Sequence, residues 1–426
     1  MEGEPERTSA EAAVARAPTQ VKLQLRTPTK AAAAVLQDIG LGDLAQYQAS
    51  RETASRRGLY AHMSSIGATA AFFQQETDES DARNELADEY EFVSDFPLQT
   101  MPRVTMSGVA STRGRAALAT REWPAESGVA DAHKNGIRGA GVLVGVLDTG
   151  VDADHAEFSH QTVAYRYVSI YPNSPYWPPR DVRAFDTDGH GTHVSGIIAG
   201  QNVGVAPEVN LYAASVIESE TTRTSLVRVA YGLDWLMRQF SRPDNEHKPA
   251  VLNMSIGFPS GAPSDISKGE FEQRLKVMRT LLRTLYRANV MPVVAIGNSG
   301  RGRYGYPGAF ADVLGVGAID FDHQVASFSG SGKPRGEGGA SKPDVVGYGV
   351  SVYSSVERDY EGGSHYQRFN GTSMASPYVA GIAALYRCRE PALSVDETWY
   401  TLLDTAMTLK GQSASRVGAG LARFVS

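Results

Sequence analysis

The sequence predicts an α/β protein: a doubly wound, mostly parallel sheet flanked by helices, preceded by a small N-terminal α+β unit. Two observations carry the prediction. From Trp123 onward, short runs rich in Val, Ile and Leu recur, as buried parallel strands require. Each run is followed by a Gly-containing turn and then a helical stretch, and that alternation defines a doubly wound sheet.

The expected strands are Val142–Leu147, Val209–Ala214, Val251–Ile256, Val290–Ile296 and Val313–Val316. The expected helices are His190–Ala199, Ser225–Phe240, Phe271–Ala288 and Ser373–Arg387. In the third helix Phe271, Leu275, Met278, Leu282 and Leu285 recur at steps of three and four, one face to be packed on the sheet.

Ahead of this region the texture differs. Residues 1–20 are polar and aperiodic and read as a disordered tail. Residues 21–100 read as a small domain. VKLQLRT at Val21–Thr27 alternates like a half-buried strand. Pro28 precedes an Ala-rich helix at Thr29–Ile39, stopped by Gly40 and Gly42, and Tyr90–Phe96 suits another strand. Residues 76–91 hold eight acidic side chains and one arginine, which reads as a solvated loop rather than a metal site. Residues 101–122, polar, basic and rich in Gly, Ser and Thr, read as a linker into the large domain at 123–426.

Composition sets outer bounds. The 426 residues are 42% hydrophobic, enough for one large core or two domains, and the net charge of −6 points to no nucleic-acid partner. The single cysteine, Cys388, excludes an internal disulfide and sits in an apolar helical run as a small packing residue. No apolar run approaches 18 residues, so no membrane partner is expected. The start, MEGEPERTSAEAAVARAPTQ, lacks the pattern of a secretory signal. The expectation is a cytoplasmic protein, or a secreted one if a leader precedes this chain.

Open α/β sheets build their sites just past the carboxyl ends of their strands. There the sequence places Asp148 in LDTG, Ser255 in NMSIG and Asn298 in IGNSG. His190 opens one expected helix and Ser373 another. A serine hydroxyl is a weak nucleophile at neutral pH. It needs a base within hydrogen-bond reach, and that base needs a carboxylate to fix its tautomer. Asp148, His190 and Ser373 supply one residue of each kind. A helix start at Ser373 adds a positive backbone dipole near a developing oxyanion, for which the Asn298 amide and the Ser373 N–H are natural donors.

These residues stand in three long motifs: VLDTGVDADH around Asp148, DGHGTHVSG around His190 and GTSMASPYVAG around Ser373. Over about residues 123–426 the chain resembles the subtilases, the subtilisin-like serine peptidases, whose triad runs in the order Asp, His, Ser. GVAP at 204–207, AIGNSG at 295–300, GYPG at 305–308 and KPDVVGYGVSVYSS at 342–355 add to the resemblance. It implies a serine endopeptidase acting on polypeptide substrates through an acyl-enzyme. Asp148 orients, His190 is base and then acid, Ser373 attacks, and Asn298 holds the oxyanion. It also implies that Ser255, Ile256 and Gly257 form one wall of the primary specificity pocket and Ala295, Ile296 and Gly297 the other. These walls pair with substrate as an added strand, with Gly305 near the floor. It further implies that the N-terminal region is a propeptide-like or regulatory domain acting as an intramolecular inhibitor.

The resemblance has departures. Many secreted subtilases bind calcium in a loop inserted after the catalytic histidine. Here only HGTHVSGIIAGQNV separates His190 from GVAP, and Glu157 stands where a ligating aspartate is common. No cofactor and no strong calcium site are therefore expected, a weaker one being left open. His193 and His155 read as scaffold, because HGTH lacks the HExxH pattern of a zinc site. Asn370 lies in a nominal glycosylation triplet that belongs to the serine motif.

Other readings fit less well. An esterase of the α/β-hydrolase type needs GxSxG, whereas Ser373 lies in GTSMA, and a dinucleotide site needs its glycines after the first strand, whereas Gly139 and Gly141 precede it. A catalytically silent binding protein on the same fold is the remaining alternative. A serine-directed fluorophosphonate separates it from an enzyme.

Overall fold

The structure is a computed structural model describing residues 21–26, 58–73, 76–85, 90–95, 97–100, 123–168, 182–219, 221–222, 224–260, 267–335 and 340–426. By their contacts they form two compact units, Met1–Asp95 and Phe96–Ser426.

The first unit contains β1 (Val21–Arg26), β2 (Gly58–Met63), β3 (Ala68–Phe73), α1 (Glu76–Glu85) and β4 (Tyr90–Ser94). The strands form an antiparallel sheet in the order β2-β3-β1-β4. β1 and β4 fall where the sequence puts strands, and the expected helix Thr29–Ile39 lies outside the described residues. The acidic stretch 76–91 is not simply a loop, since α1 occupies its first ten residues. Arg83 pairs with Glu79 one turn earlier at 2.7 Å, and Ala82 alone of the side chains described there is buried.

The second unit begins with β5 (Pro97–Thr100) and, after α2 (Val129–Lys134), enters the main sheet. Its members are β6 (Leu143–Asp148), β7 (Ala164–Tyr167), β8 (Asn210–Ser215), β10 (Ala250–Met254), β12 (Val290–Ala295), β14 (Leu314–Ile319) and β15 (Val345–Tyr348). All seven are parallel, in the order β15-β14-β12-β10-β6-β8-β7. Val144 stands beside Val251 and Val251 beside Met291, so the apolar runs align across the sheet. β6, β10, β12 and β14 are buried along their whole length, as strands covered on both faces must be.

The covering helices are α3 (His190–Ala199), α4 (Leu226–Phe240), α5 (Lys268–Arg287) and α6 (Thr372–Arg389), with α7 (Val395–Asp404) and α8 (Ala414–Val417) closing the chain. Ser225 and Ser267 cap α4 and α5 by accepting the N–H groups of Arg228 and Glu270, and Ser394 with Glu397 forms a capping box on α7. The face Phe271, Met278, Leu282 and Leu285 of α5 is buried, with Leu275 at its edge, and the helix packs on β12. α6 is buried from Thr372 to Arg387 and crosses behind β10, β12, β14 and β15. Near its end the fully buried Arg387 donates to the carbonyls of Ala250 and Asn289, tying the starts of β10 and β12 to the helix. Burial pulls its pKa down to about 10, so it stays charged at neutral pH. Cys388 is half-buried against the core, the packing role expected of it. No helix among the described residues is long and apolar enough to cross a membrane.

The expected strand Val251–Ile256 ends early. β10 stops at Met254, the chain turns at Ser255, and β11 (Ile256–Pro259) joins a different, antiparallel sheet. That sheet runs β13-β11-β5-β9, with β9 at Thr224–Ser225 and β13 at Gly305–Tyr306. β5 lies between β11 and β9: Ile256 stands opposite Thr100 and Gly257 opposite Gln99, while Thr224 and Ser225 stand opposite Leu98 and Pro97 on its other side. The last pair of strands, β16 (Val352–Val356) and β17 (His365–Phe369), forms an antiparallel hairpin.

Candidate active site

Asp148 is the last residue of β6, the strand between β10 and β8, and only 1% of its surface is exposed. Its Oδ1 lies 2.6 Å from Nδ1 of His190 and also accepts the N–H of Thr149 at 2.8 Å. His190 is fully buried at the first position of α3, after Gly189 in left-handed conformation (φ 86°), which suits glycine. The turn after Asp148 and the start of α3 touch closely. A Cβ on Gly191 would lie 2.1 Å from the Gly150 carbonyl oxygen, so only glycine permits this approach.

Asp186 locks these two pieces together. Its Oδ1 accepts from the hydroxyl of Thr149 at 2.8 Å and from the N–H of Asp188 at 3.1 Å. Its Oδ2 accepts from the N–H and hydroxyl of Thr192 at 2.7 and 2.6 Å. Asp186 has no role in the sequence reading, although it stands two residues before the quoted motif DGHGTHVSG. The available signal was an acidic residue four places before the histidine that starts a helix.

Ser373 lies in the first turn of α6, which packs against α3. Four residues later Pro377 interrupts the helical ladder, because proline has no N–H to give the Ser373 carbonyl. The hydroxyl of Ser255 takes that place, donating to the Ser373 carbonyl at 3.1 Å. The wall residue and the serine motif are thus tied through one oxygen. Asn298 is held just as specifically. Its Oδ1 accepts both the N–H and the hydroxyl of Thr372 at 2.9 Å, and its Nδ2 lies beside Gly371, where a Cβ would be 3.3 Å away. Thr372, which the sequence reading also left without a role, therefore turns the amide so that its N–H₂ faces the start of α6.

The two expected walls behave differently. Ile256 and Gly257 pair with β5, the added-strand arrangement expected for substrate. Along Ala295–Gly297 the Ile296 carbonyl accepts the N–H of Gly305 at 2.7 Å, and the Gly297 carbonyl accepts that of Gly330 at 2.8 Å. Gly305 thus adjoins this wall and, through its pairing with Pro259, the other strand as well.

His193 and His155 are scaffold in this geometry. The His193 ring stacks on Phe369 with centroids 4.2 Å apart and meets the carbonyls of Val352 and Gln367. His155 accepts the N–H of Glu157 on Nδ1 and donates from Nε2 to the His365 carbonyl.

Glu157, fully buried, decides the fit of the family's calcium. Its carboxylate accepts the backbone N–H groups of Asn202 and Val203, the Asn202 amide and the Tyr366 hydroxyl. Donors converge where a cation would need acceptors, so these residues do not fit a calcium ion.

A parallel sheet with an aspartate at a central strand end, and two packed helices whose first turns carry a histidine and a serine, is the architecture of a serine hydrolase. Residues 139–420 match the Subtilase family. The chain is 52% identical over 377 residues to the subtilisin-like protease PopC of Myxococcus xanthus, covering 88% of this chain and 79% of that protein. It is 33% identical to subtilisin DY of Bacillus licheniformis (64% of this chain, 86% of that one) and 34% identical to subtilisin Savinase of Lederbergia lenta (68% and 91%). The chain belongs to the subtilase family and is a subtilisin-like serine protease.

Proposed function

We propose that this protease cuts polypeptides by an acyl-enzyme route in which Asp148, His190 and Ser373 act as one unit. Ser373 Oγ attacks the scissile carbonyl as its proton passes to His190 Nε2. The C–N bond then breaks as that proton is handed to the leaving nitrogen, and water repeats the sequence to release the acyl group. Asp148 holds the proton on His190 Nδ1 and stabilises the imidazolium, a role supported by the buried contact of 2.6 Å, the single observation that carries the reading. Asn298 Nδ2 and the Ser373 N–H stabilise the oxyanion, the former aimed by Thr372. Ser373→Ala should abolish fluorophosphonate labelling and casein cleavage. Labelling that survives the change would sink the assignment.

We also read the chain as a self-inhibited precursor. The reading is supported by β5, which fills the place of an added strand between β11 and β9. Leu98 is buried there to 1% exposure. A covalently attached segment acts at an effective concentration of about millimolar, so even weak pairing keeps substrates out. An intact chain that hydrolyses casein without a lag would rule this out.

A further inference from the structure

The turn that follows β16 reaches the catalytic histidine from outside the two walls. β16 is fixed on α3, where the hydroxyls of Ser354 and Ser355 donate to the carbonyls of His193 and Thr192 at 2.9 and 3.1 Å. Two residues after Ser355 comes Glu357, which is exposed and whose carboxylate rests on Gly189, the residue before His190. A Cβ on Gly189 would collide with Oε2 of Glu357. The glycine that the left-handed turn favours is thus also the one that admits this carboxylate.

Glu357 lines a cavity of about 790 Å³ between the turn before α3 and the turn after β16. Two arginines line it as well, and both face its aspartates. Arg358 Nε donates to Asp152 at 3.0 Å and its Nη2 to Asp154 at 3.0 Å, and Arg183 donates to the same Asp154. Five carboxylates against two guanidinium groups make the lining net negative. Tyr360 and Phe185 bring exposed aromatic rings to it. The cavity therefore offers a passing chain an anionic surface and an apolar one.

Resting on the acyl-enzyme reading, we propose that this cavity takes the leaving part of the polypeptide and that Glu357 selects a basic residue, Lys or Arg, directly after the cut. His190 hands its proton to the leaving nitrogen, so that nitrogen lies against the imidazole as the bond breaks. The residue to which the nitrogen belongs then passes the neighbours of His190. Among these Gly189 has no side chain and carries the Glu357 carboxylate on its surface. The two walls serve the residues before the cut and bear no charge, so charge selection falls to the leaving side. An ammonium or guanidinium group gains a carboxylate there, and an acidic side chain meets its own sign. Because Glu357 is exposed, the selection is moderate and is screened by salt.

The test uses the full chain as wild type, Glu357→Gln and Glu357→Lys, each taken once it cuts casein. The substrates are quenched fluorescent peptides with one aromatic residue before the cut and Lys, Arg, Glu or Asp directly after it. Mass spectrometry fixes the bond that is cut. Wild type should show kcat/KM about 10-fold higher for Lys or Arg than for Glu or Asp at low salt. That ratio should shrink as salt rises from about 0.05 to about 0.5 M. In Glu357→Gln it should fall close to one, and in Glu357→Lys it should invert. If Glu357 only braced the turn at Gly189, both variants would slow all four peptides alike and keep the wild-type ratio, and that result overturns the proposal. A wild type that cuts basic and acidic peptides equally overturns it too. If that wild type still takes a fluorophosphonate on Ser373, the acyl-enzyme reading stands without it; a wild type that takes none sinks both.

Discussion

Glu157 Oε2 accepts the backbone N–H of Asn202 at 2.8 Å, so the loop that follows α3 is closed by hydrogen bonds onto a buried carboxylate. The loop at 201–203 is closed on a carboxylate already satisfied by four donors, and Gly200 admits it, since a Cβ there would meet Oε2 at 2.8 Å. A chelator should therefore change the melting temperature by no more than a few degrees. Glu157→Ala should lower stability by about 2–4 kcal/mol, because it strands buried donors. A chelator shift of tens of degrees would show a cation site elsewhere.

Much of this was legible in the sequence, because the signals were local. β6, β8, β12 and β14 lie within a few residues of the apolar runs that announced them, and α3 begins and ends where its pattern does. Asp148 stands at a strand end and His190 at a helix start, as their place in the sequence led one to expect, because both features are set by local pattern. What stayed hidden was non-local. PLQT at β5 has no alternation to mark a strand, and only its partners β11 and β9, over a hundred residues away, make it one. The break at Ser255 was masked by the apolar residues on both sides of it. Asp186 was hidden because its work lies in the spatial meeting of Thr149 and Thr192.

That meeting yields a prediction. Each oxygen of Asp186 accepts two donors, so an amide fits in neither orientation. Asp186→Asn should lower stability by about 2–3 kcal/mol through lost charge-assisted bonds. It should also lower kcat by about 10–100-fold with little change in KM, since it loosens the link between the Asp148 turn and the helix that carries His190. Steady-state kinetics well below the new melting temperature test this. An unchanged kcat would show that Asp186 stabilises without positioning.

Acid sensitivity should arise partly at His155. Burial lowers its pKa below the ordinary 6.5, opposed more weakly by the His365 carbonyl and by Glu157 and Asp152, and aided by Arg358. The geometry agrees, because Nδ1 must stay unprotonated to accept the Glu157 N–H. Above about pH 6.5 neither the folded nor the unfolded form binds the proton, so nothing is lost. As pH falls below that value the unfolded chain takes the proton and the folded one does not, so stability falls until the lowered pKa is reached. His133, shifted the same way by burial, adds to the slope. Melting temperatures between pH 7.5 and 5 should fall less steeply in His155→Asn, whose side-chain oxygen can still accept the N–H. Identical slopes would remove His155 from the account.

Specificity should follow from the two walls. Ser255, Ile256 and Gly257 on one side and Ala295, Ile296 and Gly297 on the other carry no charge, and Gly305 ties them together through Pro259 and the Ile296 carbonyl. A charged side chain entering between them would lose its water without gaining a partner, which costs far more than an apolar one gains. The residue before the cut should therefore be apolar or aromatic, with Gly305 leaving room for size. Gly305→Leu should reduce kcat/KM for an aromatic residue at that position by about 10-fold or more, while a substrate with alanine there changes little. A peptide-library profile dominated by Arg, Lys, Asp or Glu at this position would refute the neutral pocket. Equal losses for large and small residues would instead show that Gly305 acts on the wall and leaves the depth of the pocket unchanged.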